Sequence, residues 1–383
     1  MSALACPVSG APLRPEGPHA LAGPAGRWPV VDGIPYLRVG REALAREALR
    51  ALDAGDREGA LVLLLADQDD WWTGPRPDEE GLRRLVREGA RLTLRDALGL
   101  LAFGRVGDYF LHRWSDPTFL AGLALLEAHR GGERTAFELA CGIGHYLREL
   151  QLRGLEVAGA DVVFAKLWVA RHWVLARPAE LLCFDAGAPW PVRPRADLAL
   201  CHDALYFLEP KREIVERLRA VAGQRGWLAL GHVHNRENAG FSAGAAMTAD
   251  EVAALLPDAL AYDDAELTRA LVEARAPTPR PLAGLRAVEA FALAAGPGLM
   301  REPRALVGGL ALPPEGAALV RNPLYRDGPS GPEIAWPSER YRAEYAAAVT
   351  YPPRAGAPAR ALAGPATEAP ARRRELVALP ERW

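Results

Sequence analysis

Residues 135–161 constrain the fold more than any other part of this chain. A short apolar run (Ala136, Phe137, Leu139, Ala140) leads into Gly142-Ile143-Gly144. A helical stretch follows over 145–153, then a second apolar run over 155–160 that ends in an acid, Asp161. Strand, glycine turn, helix, strand, acid is the opening unit of a parallel α/β sheet whose first turn faces a nucleotide-like ligand. Glycine removes Cβ from the turn, so the main chain bends sharply and a ligand can lie against it and the helix N-terminus.

What the turn lacks narrows the ligand. A dinucleotide fingerprint needs a third glycine three residues after Gly144, and that position is Leu147; an NAD-dependent oxidoreductase is disfavoured on that ground. No Gly-Lys-Ser/Thr follows, which disfavours a phosphate-cradling loop. Glu138 instead precedes the turn, where a carboxylate suits a positively charged group.

The pattern Glu138-Leu-Ala140-Cys-Gly142-Ile-Gly144 resembles motif I of class I S-adenosylmethionine (SAM) methyltransferases, with alanine at 140 in place of the usual glycine. Three further matches follow in family order: Asp161 after the second strand, Asp185-Ala186 after a third run at 181–184, and 196–208 as the fourth strand and its loop. The resemblance implies a Rossmann-like, seven-stranded, mostly parallel sheet with helices on both faces. It implies that Glu138, Gly142 and Gly144 hold the methionine part of SAM, Asp161 the ribose, and Asp185 with Ala186 the adenine. Ala140, Val162 and Cys201 border the cofactor, and Tyr109 is expected to reach it from a lid. A two-oxygen acceptor such as Asp161 suits a pair of ribose hydroxyl donors.

Bulk properties exclude several classes. The 383 residues are 50% apolar and 25% charged, which is globular, and a net charge of −2 gives no broad footprint for nucleic acid. Nearly all basic residues are arginine; with abundant Ala, Gly and Pro this points to a GC-rich coding bias. Cys6, Cys141, Cys183 and Cys201 show no disulfide spacing, which suits a reducing cytoplasm. No apolar run approaches the ~20 residues of a membrane span, and no signal peptide is expected.

Four units are expected: 1–40, a small ribbon; 41–130, a helical lid; 131–295, the SAM-binding domain; 296–383, a strap that loosens from about Pro352. Residues 6–13 and 28–37 read as two β-ribbons with Asp32-Gly33 as a turn signal. They resemble the zinc-ribbon-like module of the tRNA-methyltransferase activator family. Ser9 stands where the second cysteine of a zinc pair would be, so zinc is not expected. Helical spacing predicts helices over 41–54, 57–66, 79–104 and 117–129, with Asp116-Pro117 as a helix start. Tyr109, Arg113 and Trp114 are the expected lid contacts. Thr248 with Glu251 reads as a capping box.

Methyl transfer from a sulfonium is an in-line displacement, so the protein positions an acceptor and, for a hydroxyl, removes its proton. His202, His232 and His234 fall at strand ends where such sheets bind ligands, and one of them is the expected base. A metal held by His202, Asp203, His232 and His234 has no diagnostic spacing and is not expected. The reading is a methyltransferase acting on a small-molecule acceptor, a hydroxyl by preference, without membrane or nucleic-acid partners and with a homodimer allowed. The alternative is a non-catalytic SAM-fold subunit that stabilises another enzyme.

Overall fold

The computed structural model describes residues 4–238 and 244–383. Four short strands open the chain as an antiparallel sheet: β1 (Arg14–Glu16), β2 (Ala20–Gly23), β3 (Gly26–Val31) and β4 (Ile34–Pro35). Five helices follow, α1 (Glu42–Asp53), α2 (Arg57–Leu65), α3 (Glu79–Glu88), α4 (Leu94–Leu100) and α5 (Gly104–His112). The single helix expected over 79–104 is therefore two. The chain breaks after Gly89, and Thr93 with Asp96 forms a capping box that restarts it.

The body is a seven-stranded sheet: β5 (Thr135–Leu139), β6 (Glu156–Asp161), β7 (Glu180–Cys183), β8 (Leu198–His202), β9 (Trp227–His234), β10 (Leu260–Asp263) and β11 (Ala290–Ala295). In space they run β7-β6-β5-β8-β9-β11-β10. Counted one to seven, the order is 3-2-1-4-5-7-6. Strands β5 to β9 are parallel, and β11 lies antiparallel between β9 and β10. Strands buried on both faces need no polar alternation, and β8, β9 and β11 are buried at every position. The order reverses beside β5, which opens a crevice at the carboxyl ends of β5 and β8.

Helix α6 (Pro117–His129) is apolar nearly all round because it is enclosed, between β9 and β11 on one side and α11 (Asp264–Val272) on the other. Asp116 caps it, accepting the Thr118 N–H at 2.8 Å. The N-terminal unit is fastened to the edge of the main sheet: Tyr36 bridges Cys183 in parallel, and the Leu37 N–H donates to the Cys183 carbonyl at 2.7 Å. The sheet thereby gains a short eighth edge from the ribbon.

The tail expected to be loose is folded. Strands at Ala318–Arg321, Arg360–Leu362 and Leu376–Val377 form a three-stranded sheet, and helix Glu339–Tyr345 carries buried Tyr341 and Tyr345. Arg372 is buried and donates to the carbonyls of Leu271 and Leu306 in the body. The Trp383 indole donates to the Leu111 carbonyl at 2.8 Å.

Candidate active site

The glycine turn leaves β5 with three consecutive special positions. Ala140, Gly142 and Gly144 all have positive φ, at 54°, 55° and 83°. A Cβ on Gly144 would press Leu175 at 3.2 Å, so the helix α7 (His145–Leu152) starts close to its neighbours. Glu138, at the end of β5, is buried, and among the described residues its Oε2 has no hydrogen-bond partner. Burial raises its carboxyl well above the usual range, against the pull of Arg113. An enclosed acid with an open lone pair fits a cationic ligand group.

At the end of β6, Asp161 is buried and accepts two backbone N–H groups, Gly142 at Oδ2 and Val163 at Oδ1, each at 2.9 Å. Its second lone pairs are left for hydroxyl donors. Lys166 stands 3.7 Å from Asp161 and the same distance from Asp69, in the loop between α2 and α3. That loop therefore reaches the second strand end. After β7, Asp185 is exposed and accepts from Gly187, while Ala186 is buried. Val162 is half-buried beside Asp161, and Cys201 is enclosed in β8, where burial pushes its thiol up. These residues fit a nucleoside bearing a cationic amino acid: acids on three successive strand ends around a turn with glycine at 142 and 144.

On the other side of the crevice a polar cluster surrounds Asp203. Tyr206 donates to its Oδ1 at 2.7 Å, Tyr109 to its Oδ2 at 2.8 Å, and Arg113 lies 3.2 Å away. Tyr109, expected at the cofactor, has its hydroxyl on this acid. Arg113 is buried and also meets Asp116 at 3.4 Å. Trp114 packs on His145, 4.5 Å between ring centres, and the His145 Nε2 contacts the Phe110 carbonyl.

A β-bulge sets the histidines. Leu230 pairs with Leu293 and Val233 with Phe291, so Gly231 and His232 together oppose Ala292. His232 takes φ 53° there, and Asp203 φ 52° on the adjoining strand end. A bulge re-aims the side chains that follow it. The His232 Nδ1 bonds Asp264 at 2.7 Å, and its Nε2 lies 4.0 Å from Asp203 Oδ1. Burial opposes charge on this ring, but Asp203 and Asp264 outweigh it and push it up to about 9. His234 stands beside it, 4.6 Å between ring centres, and burial with the neighbouring His232 pushes it down to about 4.

His202 differs. Both of its ring nitrogens are buried without a partner, the ring packs on Tyr146 at 4.3 Å, and burial pushes it down to about 3. It lies under Gly231 as a wall. The expected three histidines thus reduce to an open pair and a packed one. Sequence reading missed Asp264, the helix-start acid that orients His232, and Tyr206, the second donor to Asp203.

An aromatic row leads out of the cluster: His234 to Tyr206 at 4.4 Å, Tyr206 to Phe207 at 4.4 Å, and Phe207 to Trp71 at 5.6 Å. Trp71 is 57% exposed. The loop after α2 therefore spans both halves of the crevice, from Asp161 to Phe207.

Residues 137–230 match the methyltransferase domain family. The 3-2-1-4-5-7-6 sheet that carries this match is a Rossmann-like methyltransferase fold, and the cofactor of the matched family is SAM. No curated protein matches the chain. Among solved structures, a Pyrococcus horikoshii protein is 24% identical over 25% of this chain and 44% of its own, with a TM-score of 0.23. An amino pentose methyltransferase of calicheamicin biosynthesis from Micromonospora echinaspora is 23% identical over 33% and 56%, with a TM-score of 0.28. A SAM-dependent methyltransferase from Thermotoga maritima is 15% identical over 52% and 97%, with a TM-score of 0.35. The chain spans about half the length of the first structures matched.

Proposed function

We propose that the protein is a SAM-dependent methyltransferase that methylates a hydroxyl of a small-molecule acceptor. The observation that carries this is the enclosed Glu138 with its open Oε2, set beside Asp161 across the Gly142–Gly144 turn, within a matched methyltransferase domain. Bound SAM supplies a methyl group already activated on sulfur. Glu138 and the 140–144 turn would hold its methionine part, Asp161 and Val162 the ribose, and Asp185 with Ala186 the adenine, with Cys201 as wall. Tyr109 and Arg113, both held on Asp203, line the acceptor side. His234, held neutral beside His232, takes the hydroxyl proton.

The test is isothermal titration of the full chain with SAM, S-adenosylhomocysteine and NAD, followed by methyl transfer to a panel of hydroxyl and amine acceptors. Micromolar SAM binding with transfer to hydroxyls supports the reading. Absence of SAM binding by folded protein overturns it.

A further inference from the structure

We propose that Asp203, His232 and His234 hold one divalent transition-metal ion on the acceptor side of the crevice. This deepens the hydroxyl-methylation reading and rests on it, and it revises the expectation of a metal-free site. The donor atoms of the three residues lie within 4.8 Å of one another. An ion with bonds of roughly 2.0–2.2 Å brings its donors to within about 4.3 Å. The 4.0 Å from His232 Nε2 to Asp203 Oδ1 already falls inside that span.

The surroundings are those of ligands held ready. The His232 Nδ1 bonds Asp264 at 2.7 Å, so Nε2 is the ring nitrogen turned toward Asp203, and an ion bound there displaces its proton. A carboxylate behind a ligating imidazole is the usual second partner of a metal-bound histidine. Among the described residues Asp203 Oδ1 accepts only the Tyr206 hydroxyl, and a carboxylate oxygen has a second lone pair to give. The bulge at Gly231 and His232 brings the histidine to that oxygen.

Two imidazoles and one carboxylate suit Fe(II), Mn(II), Co(II), Ni(II) or Zn(II) and leave positions for an acceptor oxygen. The ion-bound hydroxyl gives its proton to water, and the O–CH3 bond forms as the S–CH3 bond breaks. No redox change is involved. His232 and His234 then act as ligands instead of proton acceptor.

The experiment is chelator treatment of the full-length protein, then titration with Co(II), read by visible absorption, and with Zn(II), read by calorimetry. SAM titration of the ion-free protein runs alongside. One equivalent with a nitrogen–oxygen Co(II) spectrum is expected. His234→Ala and His232→Ala should each weaken binding at least tenfold, while His19→Gln, far from the site, leaves it unchanged. No stoichiometric ion, or binding untouched by both site variants, overturns the metal site; SAM binding in that same preparation leaves the methyltransferase reading standing. Ion binding without SAM binding removes the reading on which the site rests.

Discussion

The carboxylate of Asp161, at the end of β6, holds the Gly142 N–H at 2.9 Å, so the acid after the second strand pins the turn after the first. Cofactor hydroxyls and the turn thus share one side chain. Asp161→Asn replaces one acceptor oxygen with a donor that opposes the N–H or a ribose hydroxyl. We expect the SAM dissociation constant to rise at least tenfold, a loss of about 1.4 kcal/mol, by calorimetric titration. The thermal midpoint should move little, since the remaining oxygen keeps one backbone bond. Unchanged affinity would remove Asp161 from the cofactor site.

Glu138 separates binding from folding more cleanly. Burial raises its carboxyl well above the usual range and so disfavours its charged form in the ligand-free protein, while Glu138→Gln keeps the shape of the side chain. Stability in denaturant should stay within about 0.5 kcal/mol, the range of changes that break no buried partner. SAM affinity should fall by tenfold or more, because the amide offers no negative charge to the ligand's ammonium. A variant that binds SAM like the parent would show that the open Oε2 faces no cation.

How much of this was legible in the sequence depended on distance along the chain. The turn from Glu138 to Gly144 and the acid at 161 are local signals, and the seven-stranded, mostly parallel sheet followed from the family pattern they carry. The bulge was not legible, because it arises from pairing Gly231 and His232 with Ala292 some sixty residues later. Asp264 reads from sequence only as a helix-start acid, although it orients His232. The tail misled because Pro, Ala and Arg composition reads as loose chain. Its order comes from long-range satisfaction, with Arg372 closing body carbonyls and Trp383 reaching Leu111. The break between α3 and α4 was in view: Thr93 and Asp96 are a capping box.

The ribbon is locked to the helical segment by a buried ion pair. Arg38 meets Asp67, both nearly enclosed, and Tyr36 also donates to Asp67 at 2.6 Å. Asp67→Ala leaves the Arg38 guanidinium with only the Gln68 carbonyl, at 2.9 Å. Stranding a buried charge costs about 3–5 kcal/mol. Guanidinium unfolding should show that loss for Asp67→Ala. The double variant Arg38→Met, Asp67→Leu should be more stable than Asp67→Ala, since no charge is then stranded. A double variant weaker than the single would mean that the pair is net stabilising beyond its own desolvation.

Acid sensitivity should come in part from two buried neutral histidines, His112 and His145. Burial first, with Arg95 and Arg326 adding, pushes His112 down to about 3, and its Nδ1 has no partner. It packs between Tyr341 and Trp383. Burial likewise pushes His145 down to about 3, the Phe110 carbonyl only partly offsetting it while Arg113 and Arg148 add to the push. An unfolded chain protonates both near 6.5. Between about 6.5 and 3 the unfolded state therefore binds more protons than the native one, so stability is full above 6.5 and falls as the pH falls. Each group contributes a slope of about 1.4 kcal/mol per pH unit well inside that window. Unfolding midpoints between pH 7.5 and 5 should drop along this curve. His112→Leu, which removes one titrating group and its unpaired nitrogen, should roughly halve the slope contributed by the pair. An unaltered slope in that variant would place the acid sensitivity elsewhere.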